Sequence, residues 1–452
     1  MGLHGFFIKH ISCPIVFRRD GLKDFFRRLK ELERSQYLGQ GQIHELQFDR
    51  VKRILSHAYL TTEFYRKRFD ECGLDPHRIE DLNHLKRIPL LSKQDIRNNL
   101  KHLISKTFRK SELHMAETGG TTGVKMRFYR DNSCLTPKEA ALFRFDKWTG
   151  WDFGERMGIV WTAQQDYVGH WTLKSKIKNA LTLRQIVFPA AVMDEEAISK
   201  YIQLLQRKKP TMIRAFVSPI YEIAKYILDN GIEVPKLKGI VTTGEPLYRH
   251  QRQTILRAFK CTVLDSYRTR EVGPIAQECK TGAGMHINAE SVFIEIIDQD
   301  HAGIGKVVVT DLLNYGMPLI RYEIGDLARF STKLCSCGRG LPLMESVAGR
   351  VADSLYTPEG KLVTAGSLVL YLVDEAPGLL GQVQIIQDGI DHIIIKLTKN
   401  PKPSRQILEY QRSTVKRLFG DKMKVTFEFV DEIPLEESGK YRFTVCNLEG
   451  PR

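Results

Sequence analysis

At 452 residues the chain is too long for one ordinary hydrophobic core and should divide into two or more domains. Hydrophobic residues make up 42% and charged residues 27%, which excludes a disordered chain and fits a folded soluble one. The net charge of +15 favours anionic partners, but the cations are dispersed without an aromatic-interleaved basic stripe, so nucleic acid is not expected among them.

The first twenty residues are aromatic and basic, interrupted by Lys9, His10 and Pro14 and closed by Arg18-Arg19. They lack the apolar core and cleavage site of a signal peptide, so a cytoplasmic location is expected, with weak peripheral membrane contact left open. No transmembrane segment is expected: the longest uncharged apolar stretch, residues 362–373, is about half the ~20 residues a spanning helix needs. From 20 to 110 apolar residues recur at helical spacing, as in Leu22, Phe25, Phe26, Leu29 and Leu32, and in Val51, Ile54, Leu55 and Ala58. Ser92-Lys93-Gln94-Asp95 has the form of a helix start. Between 110 and 350, strand-like runs at 158–161, 212–216, 239–241 and 262–264 alternate with helical segments such as 195–206 and 220–230. That alternation implies a mostly parallel sheet covered by helices, with a ligand at the carboxyl ends of its strands. Residues 292–297 and 305–312 read as strands of a β-rich portion.

After Gly349-Arg350 the pattern restarts with a turn at Pro358-Glu359-Gly360, strands at 383–386 and 393–397, a helix at 404–418 and a strand at 425–429. The expected fold class is α/β. A helical region (1–110) and an α/β core (111–349) form a large domain, joined by a hinge to a small α+β domain (350–452).

Two distant runs point to nucleotide chemistry. Thr118-Gly119-Gly120-Thr121-Thr122-Gly123-Val124-Lys125 is a hydroxyl- and glycine-rich loop whose amides can approach phosphate oxygens closely. It lacks the spacing of a Walker loop. Lys440, after Ser438-Gly439, offers an ammonium on a glycine turn near the end of the chain. Between them lie Thr242-Thr243-Gly244-Glu245-Pro246-Leu247, Asp265-Ser266-Tyr267-Arg268-Thr269-Arg270-Glu271, Arg321-Tyr322-Glu323-Ile324-Gly325-Asp326 and Gly349-Arg350-Val351-Ala352-Asp353. Each is weak alone; six in fixed order are specific.

In this constellation, in Thr61-Thr62-Glu63-Phe64-Tyr65, in residues 88–96 and in the run 310–322, the chain resembles the adenylate-forming superfamily of acyl-CoA synthetases. It is most similar to the phenylacetate–CoA ligase-like branch and its capsule-biosynthesis (CapK-type) proteins. The resemblance implies ATP-dependent, AMP-forming activation of a small-molecule carboxylic acid and transfer of the acyl group to coenzyme A. It further implies that Thr118, Gly119, Gly120, Thr121, Thr122, Gly123 and Lys125 grip the phosphates, with Thr118 also in the catalytic set. Gly244, Glu245 and Pro246 line the adenine, Tyr267 packs on it, Asp326 takes the ribose hydroxyls and Arg350 reaches the nucleotide beside a hinge around Asp353. Glu271 holds Mg²⁺ against the phosphates, and Lys440 stabilises charge developing between carboxylate and α-phosphate. Such residue types suit the chemistry, since a carboxylate approaching a polyanion needs cations and amide dipoles around the transition state.

The family's Tyr-Gly-x-[Ser/Thr]-Glu is here Tyr267-Arg268-Thr269-Arg270-Glu271, which adds bulk and charge beside the nucleotide. This departure motivates a rival reading, a degenerate non-catalytic nucleotide-binding protein, which the retained Glu271, Asp326, Arg350 and Lys440 oppose. A second rival keeps adenylation but delivers the acyl group to a sugar hydroxyl or amine in surface-polysaccharide assembly. Trp161, Tyr167, Trp171 and Phe216 offer aromatic surface for the acid, or are plain core. Finally, Cys279, His286, Cys335 and Cys337 supply three thiolates and an imidazole, a donor set for closed, structural Zn²⁺.

Overall fold

The computed structural model describes residues 3–117, 126–161, 172–190, 193–299, 303–345, 347, 349–350, 354–360, 362–363, 368, 371–372, 382–399, 403–434 and 442–448. The chain opens on one helical run: α1 (Leu3–Phe7), a π-turn (Ile8–Ser12) and α2 (Cys13–Arg19). Pro14 does not break it, because it falls in the first turn of α2, where a missing N–H leaves no bond unmade. α3 (Phe25–Ser35), α4 (Gln40–Thr61), α5 (Glu63–Glu71) and α6 (Lys93–Leu103) fill the region whose spacing was helical. α6 starts on a capping box: Asp95 N donates to Ser92 Oγ at 3.0 Å and Ser92 N to Asp95 Oδ2 at 2.9 Å.

β1 (Leu113–Glu117) and β2 (Arg127–Asp131) pair antiparallel to their last residues, with Glu117 opposite Arg127. The glycine-threonine run is therefore the connection of a hairpin. Next, α7 (Asn132–Lys147) leads into β3 (Met157–Trp161), α8 (Leu173–Ala180), β4 (Gln185–Pro189), α9 (Glu195–Lys208), β5 (Met212–Phe216) and α10 (Val217–Asp229). β6 (Gly239–Thr243), α11 (Arg249–Phe259), β7 (Thr262–Thr269), β8 (Gly273–Glu278) and β9 (Met285–Ile287) continue it, and β13 (Leu343–Met344) returns later to the same sheet. In space the order is β13-β9-β8-β7-β6-β5-β3-β4. β3 to β7 are parallel, as the alternation of strands and helices implied. β8, β9 and β13 extend the sheet with antiparallel pairs that the sequence did not reveal.

The sheet is apolar on both faces because helices cover both. Ile213, Ala215, Ile240 and Val263 meet α9 to α11, while Met212 and Val241 face α3 and α7. A second, antiparallel sheet holds β10 (Val292–Ile297), β11 (Gly305–Asp311), β12 (Tyr322–Ala328) and β14 (Gly349–Arg350). It shares a core with α4 to α6 and β8.

The last part begins with the hairpin of β15 (Leu355–Tyr356) and β16 (Leu362–Val363). β17 (Val383–Gly389), β18 (His392–Thr398), α12 (Arg405–Phe419), β19 (Lys424–Val430) and β20 (Thr444–Cys446) follow, with sheet order β19-β18-β17-β20. Buried Gln387 joins β15 to this sheet, donating to Tyr356 O at 2.7 Å and accepting from Tyr356 N at 2.8 Å. Tyr248, in front of α11, meets Phe443 with ring centroids 6.1 Å apart, one contact between the large and small lobes.

Candidate active site

β7 runs on through Thr269, so Tyr267 and Arg268 stand in a strand, not in a loop after it. β12 likewise contains Gly325 and Asp326. Its ladder with β11 slips there: Lys306 faces Leu327 and Val308 faces Glu323, so β12 carries extra residues that bulge outward. Gly325 supplies the positive φ of +96° that the bulge needs. The displacement sets Asp326 against β7, where the Tyr267 hydroxyl donates to Asp326 Oδ2 at 2.6 Å. Four residues earlier in β12, the Tyr322 hydroxyl donates to Oε1 of buried Glu271 at 3.1 Å. Burial, and then the Glu271 carboxylate, push the Tyr322 phenol well above its ordinary range, so it serves as a fixed donor.

Asp326 also faces Arg350 in the β12–β14 ladder, which brings the Arg350 backbone to the same edge; its side chain lies outside the described atoms. Sequence reasoning missed Tyr322 as a site residue, although it stands in the quoted motif. It also missed two cations of α6. Arg97 acts electrostatically on Tyr322, and Lys93 Nζ comes within 3.7 Å of where a Cβ on Gly325 would stand. The Leu91–Tyr322 bridge ties the start of α6 to β12, a pairing distant in sequence.

Gly244, at the end of β6, has φ +85°, and a Cβ there would stand 2.1 Å from Phe216 Cε1. Glycine lets the Phe216 ring lie against the loop, with Trp161 packed on it at 4.4 Å. Glu245 turns its side chain to the start of α10, accepting from Ser218 N at 2.9 Å and from the Ser218 hydroxyl. Half-buried Pro246 follows it.

Beneath Phe216, on the α7 face of the sheet, lies a charged layer. Arg214 pairs with Asp146 through Nη2, and through Nε at 3.3 Å. Arg268 donates from Nε to Ser266 Oγ at 2.9 Å, while its Nη2 is buried without a partner. Burial, and then repulsion from Arg214, lower the Arg268 guanidinium to about 9. Glu139, one face of α7 with Phe143 and Asp146, has its carboxyl raised by burial and only partly offset by Arg214. Arg270 reaches the hairpin instead, its Nη1 lying 3.5 Å from Glu117 O.

Cys279, His286, Cys335 and Cys337 do converge, with ligand atoms all within 4.8 Å of one another. Cys279 Sγ lies 3.5 Å from Cys335 Sγ, and Cys337 Sγ lies 3.3 Å from His286 Nε2. A tetrahedral zinc with bonds near 2.3 Å would set sulfurs about 3.8 Å apart, so the spacing fits the ion. The four reside on three elements: Cys279 follows β8, His286 is in β9, and Cys335 and Cys337 precede β13, which pairs with β9. His286 Nδ1 faces Leu341 O at 3.3 Å, leaving Nε2 toward the sulfurs. Burial drives the imidazole down to about 4, favouring the neutral, ligating form. Arg339 stacks on Trp148 at 4.3 Å, and Trp148 donates to Gln36 Oε1 at 2.9 Å, so the cluster closes onto the N-terminal helices.

Thr118, Gly119, Gly120, Thr121, Thr122, Gly123, Lys125, Lys440, Asp353, Tyr167 and Trp171 lie outside the described residues. The described groups form one edge: Glu271, Tyr267, Asp326 and the Arg350 backbone, with Arg270 reaching Glu117 at the end of β1.

Comparison with known proteins bears on this edge. The CapK C-terminal domain family matches residues 355–447. Protein CapK of Staphylococcus aureus is 28% identical over 449 residues, 97% of this chain and 96% of its own. The chain is thus similar, over nearly its whole length, to a CapK protein, and its last part matches the CapK C-terminal domain family. The phenylacetate-coenzyme A ligase of Thermus thermophilus is 27% identical over 331 residues, 70% of this chain and 72% of its own. The fold matches that of 2-hydroxyisobutyryl-CoA ligase in its postadenylation state, with a TM-score of 0.71, 18% identity and 92% of each chain covered. No helix among the described residues is long and apolar enough to cross a membrane.

Proposed function

We propose that the chain is an ATP-dependent, AMP-forming carboxylate ligase that activates a small-molecule acid as its adenylate and passes the acyl group to coenzyme A. The observation that carries this reading is the pairing of Tyr267 with Asp326 on one edge of the cleft, beside Glu271 held by Tyr322. Asp326 offers a carboxylate for the ribose hydroxyls, already oriented by a phenol. Tyr267 presents its ring for the adenine from β7, and Gly244, Glu245 and Pro246 close that side at the end of β6. Glu271 is a buried carboxylate whose known partner is a neutral donor, which leaves it anionic capacity for Mg²⁺; the ion would neutralise the triphosphate. In this reading Thr118 to Lys125 hold the phosphates from the hairpin, Arg350 reaches the nucleotide, and Lys440 approaches the α-phosphate from the small lobe. The relatives named as coenzyme A ligases support the thiol acceptor. Zinc in the cysteine–histidine set is structural, since four protein donors leave no open position.

Carboxylate-dependent exchange of pyrophosphate into ATP tests the assignment, with an acid panel read by hydroxamate trapping. Exchange should appear with at least one acid and disappear in Lys440→Ala and Glu271→Gln. Undiminished exchange in Lys440→Ala removes that lysine from the mechanism, and no AMP formation with any acid leaves a nucleotide-binding protein without catalysis. Acyl-AMP turnover that ignores coenzyme A but responds to a glycan acceptor would move the second step to surface-polysaccharide chemistry, the rival reading that the sequence resemblance raised.

A further inference from the structure

The first helical run is apolar on two opposite faces. Ile8, Cys13 and Phe17 are buried against Phe25, Trp151 and Phe153 in the core. On the other side Leu3, Phe6, Phe7, Ile11 and Ile15 stand in solvent, Leu3 91% and Ile15 64% exposed. A helix with apolar residues all round belongs in an interior or against a lipid phase. α8 adds a second exposed apolar stripe: no residue of it is buried, and Leu173 and Ile177, with Leu181 just beyond its end, follow at four-residue spacing, Leu173 being 75% exposed. The two elements are stitched together by Ser12 Oγ donating to Leu181 O at 2.5 Å and by a 2.5 Å Lys178–Asp20 ion pair.

Charge identifies the occupant. Residues 3–19 and 172–184 contain no Asp or Glu, but carry Lys9, Arg18, Arg19, Lys174, Lys176, Lys178 and Arg184. Lys9 is taken by Asp152 and Lys178 by Asp20, while exposed Arg18, Arg19, Lys174 and Lys176 have no acidic partner among the described residues. A second copy seated on the same patch would set these cations against their own equivalents, because a two-fold interface is self-complementary. Apolar side chains flanked by free cations instead match the headgroup boundary of an anionic bilayer.

We propose that the face built by α1, the π-turn, α2 and α8 seats this protein on an anionic lipid surface, lying on it without crossing it. The surface is remote in sequence from the nucleotide motifs and stands whether or not the proposed ligase activity does. Co-sedimentation of the full chain with phosphatidylcholine vesicles, with and without phosphatidylglycerol, tests it. Binding should require phosphatidylglycerol and fall with added salt. Ile11→Glu with Ile15→Glu should lower the bound fraction about tenfold. Lys174→Ala with Lys176→Ala should weaken binding and flatten its salt dependence. Both pairs are exposed, and unchanged melting curves confirm that the variants fold. The proposal is overturned if vesicles never bind, if neither variant changes binding, or if Ile11→Glu with Ile15→Glu instead dissociates a dimer, which would assign the patch to a second copy.

Discussion

Arg268 stands where the family pattern has glycine, and its environment explains what the exchange does. Its Nε donates to Ser266 Oγ, and its Nη2 is left without an acceptor in the field of Arg214. A buried guanidinium in that condition is costly unless something anionic arrives. Arg268→Gly should therefore change acid selectivity in the pyrophosphate exchange: kcat/KM for acids with a second polar or anionic group should fall about tenfold relative to plain aryl or alkyl acids. An unchanged ranking of acids would detach Arg268 from the acyl pocket. Asp265, on the opposite face of β7, offers a second residue-scale test. Its carboxyl accepts from Thr242 Oγ1 at 2.9 Å, and is pushed up to about 7 by burial first and by Glu278 second. A carboxyl raised in the folded state holds a proton that the unfolded chain releases. The stabilisation is full below about pH 4 and is lost as pH rises through about 7, with a slope of about 1.4 kcal/mol per pH unit. The urea midpoint should fall between about pH 5 and about pH 7.5, and Asp265→Asn should flatten that fall.

Among elements, legibility followed the chemistry of burial. The helices of the first hundred residues and the strands around Ile213 and Ile240 declared themselves because one solvent, the apolar core, selects their side chains. The far end of β7 did not, since Asp265, Ser266, Arg268 and Thr269 are polar and find their partners inside the fold. β8 opens on Gly273-Pro274, which reads as a turn, and β9 has only three residues. The bulge that carries Asp326 was hidden for a related reason: a Gly-Asp pair signals a turn, and only the β11 register shows it as a strand irregularity. The charged layer of Arg214, Asp146 and Glu139 was invisible because its members lie on α7 and β5, far apart in the chain. That Cys279, His286, Cys335 and Cys337 could meet was legible from their residue types and spacing, and the β9–β13 pairing explains their convergence. Cys335→Ser with Cys337→Ser should abolish stoichiometric zinc and lower the melting temperature by several degrees, since binding to the native state alone is folding free energy. Metal analysis and calorimetry check it; a zinc-free wild-type chain with the same melting curve would refute it.

At the scale of the molecule, two lobes share the proposed reaction. The small lobe has its own core of Val383, Ile385, Ile393, Ile395, Val415 and Phe419. Tyr248 of the large lobe packs against it, near Phe443. Tyr248→Ala removes a ring from that contact, and should speed tryptic cleavage between the lobes without shifting the far-ultraviolet circular dichroism. Equal cleavage rates would show that Tyr248 does not hold the lobes together. What could not be read from sequence at this scale is the way the lobes meet, because a contact such as Tyr248–Phe443 joins residues nearly two hundred positions apart with no pattern linking them.

Gln387 gives the small lobe a rigid handle. By gripping both backbone groups of Tyr356, it makes the short hairpin a passenger of β17, while Arg350 remains a rung of the ladder that carries Asp326. If the lobes turn against each other with both of these ties intact, the change falls between Arg350 and Leu355 in the sequence, one rung from the Asp326 carboxylate. A swivel so short would convert a small local rotation into a long sweep at the distal rim of the small lobe, and in the proposed reaction would tie the orientation of that lobe to whatever Asp326 holds.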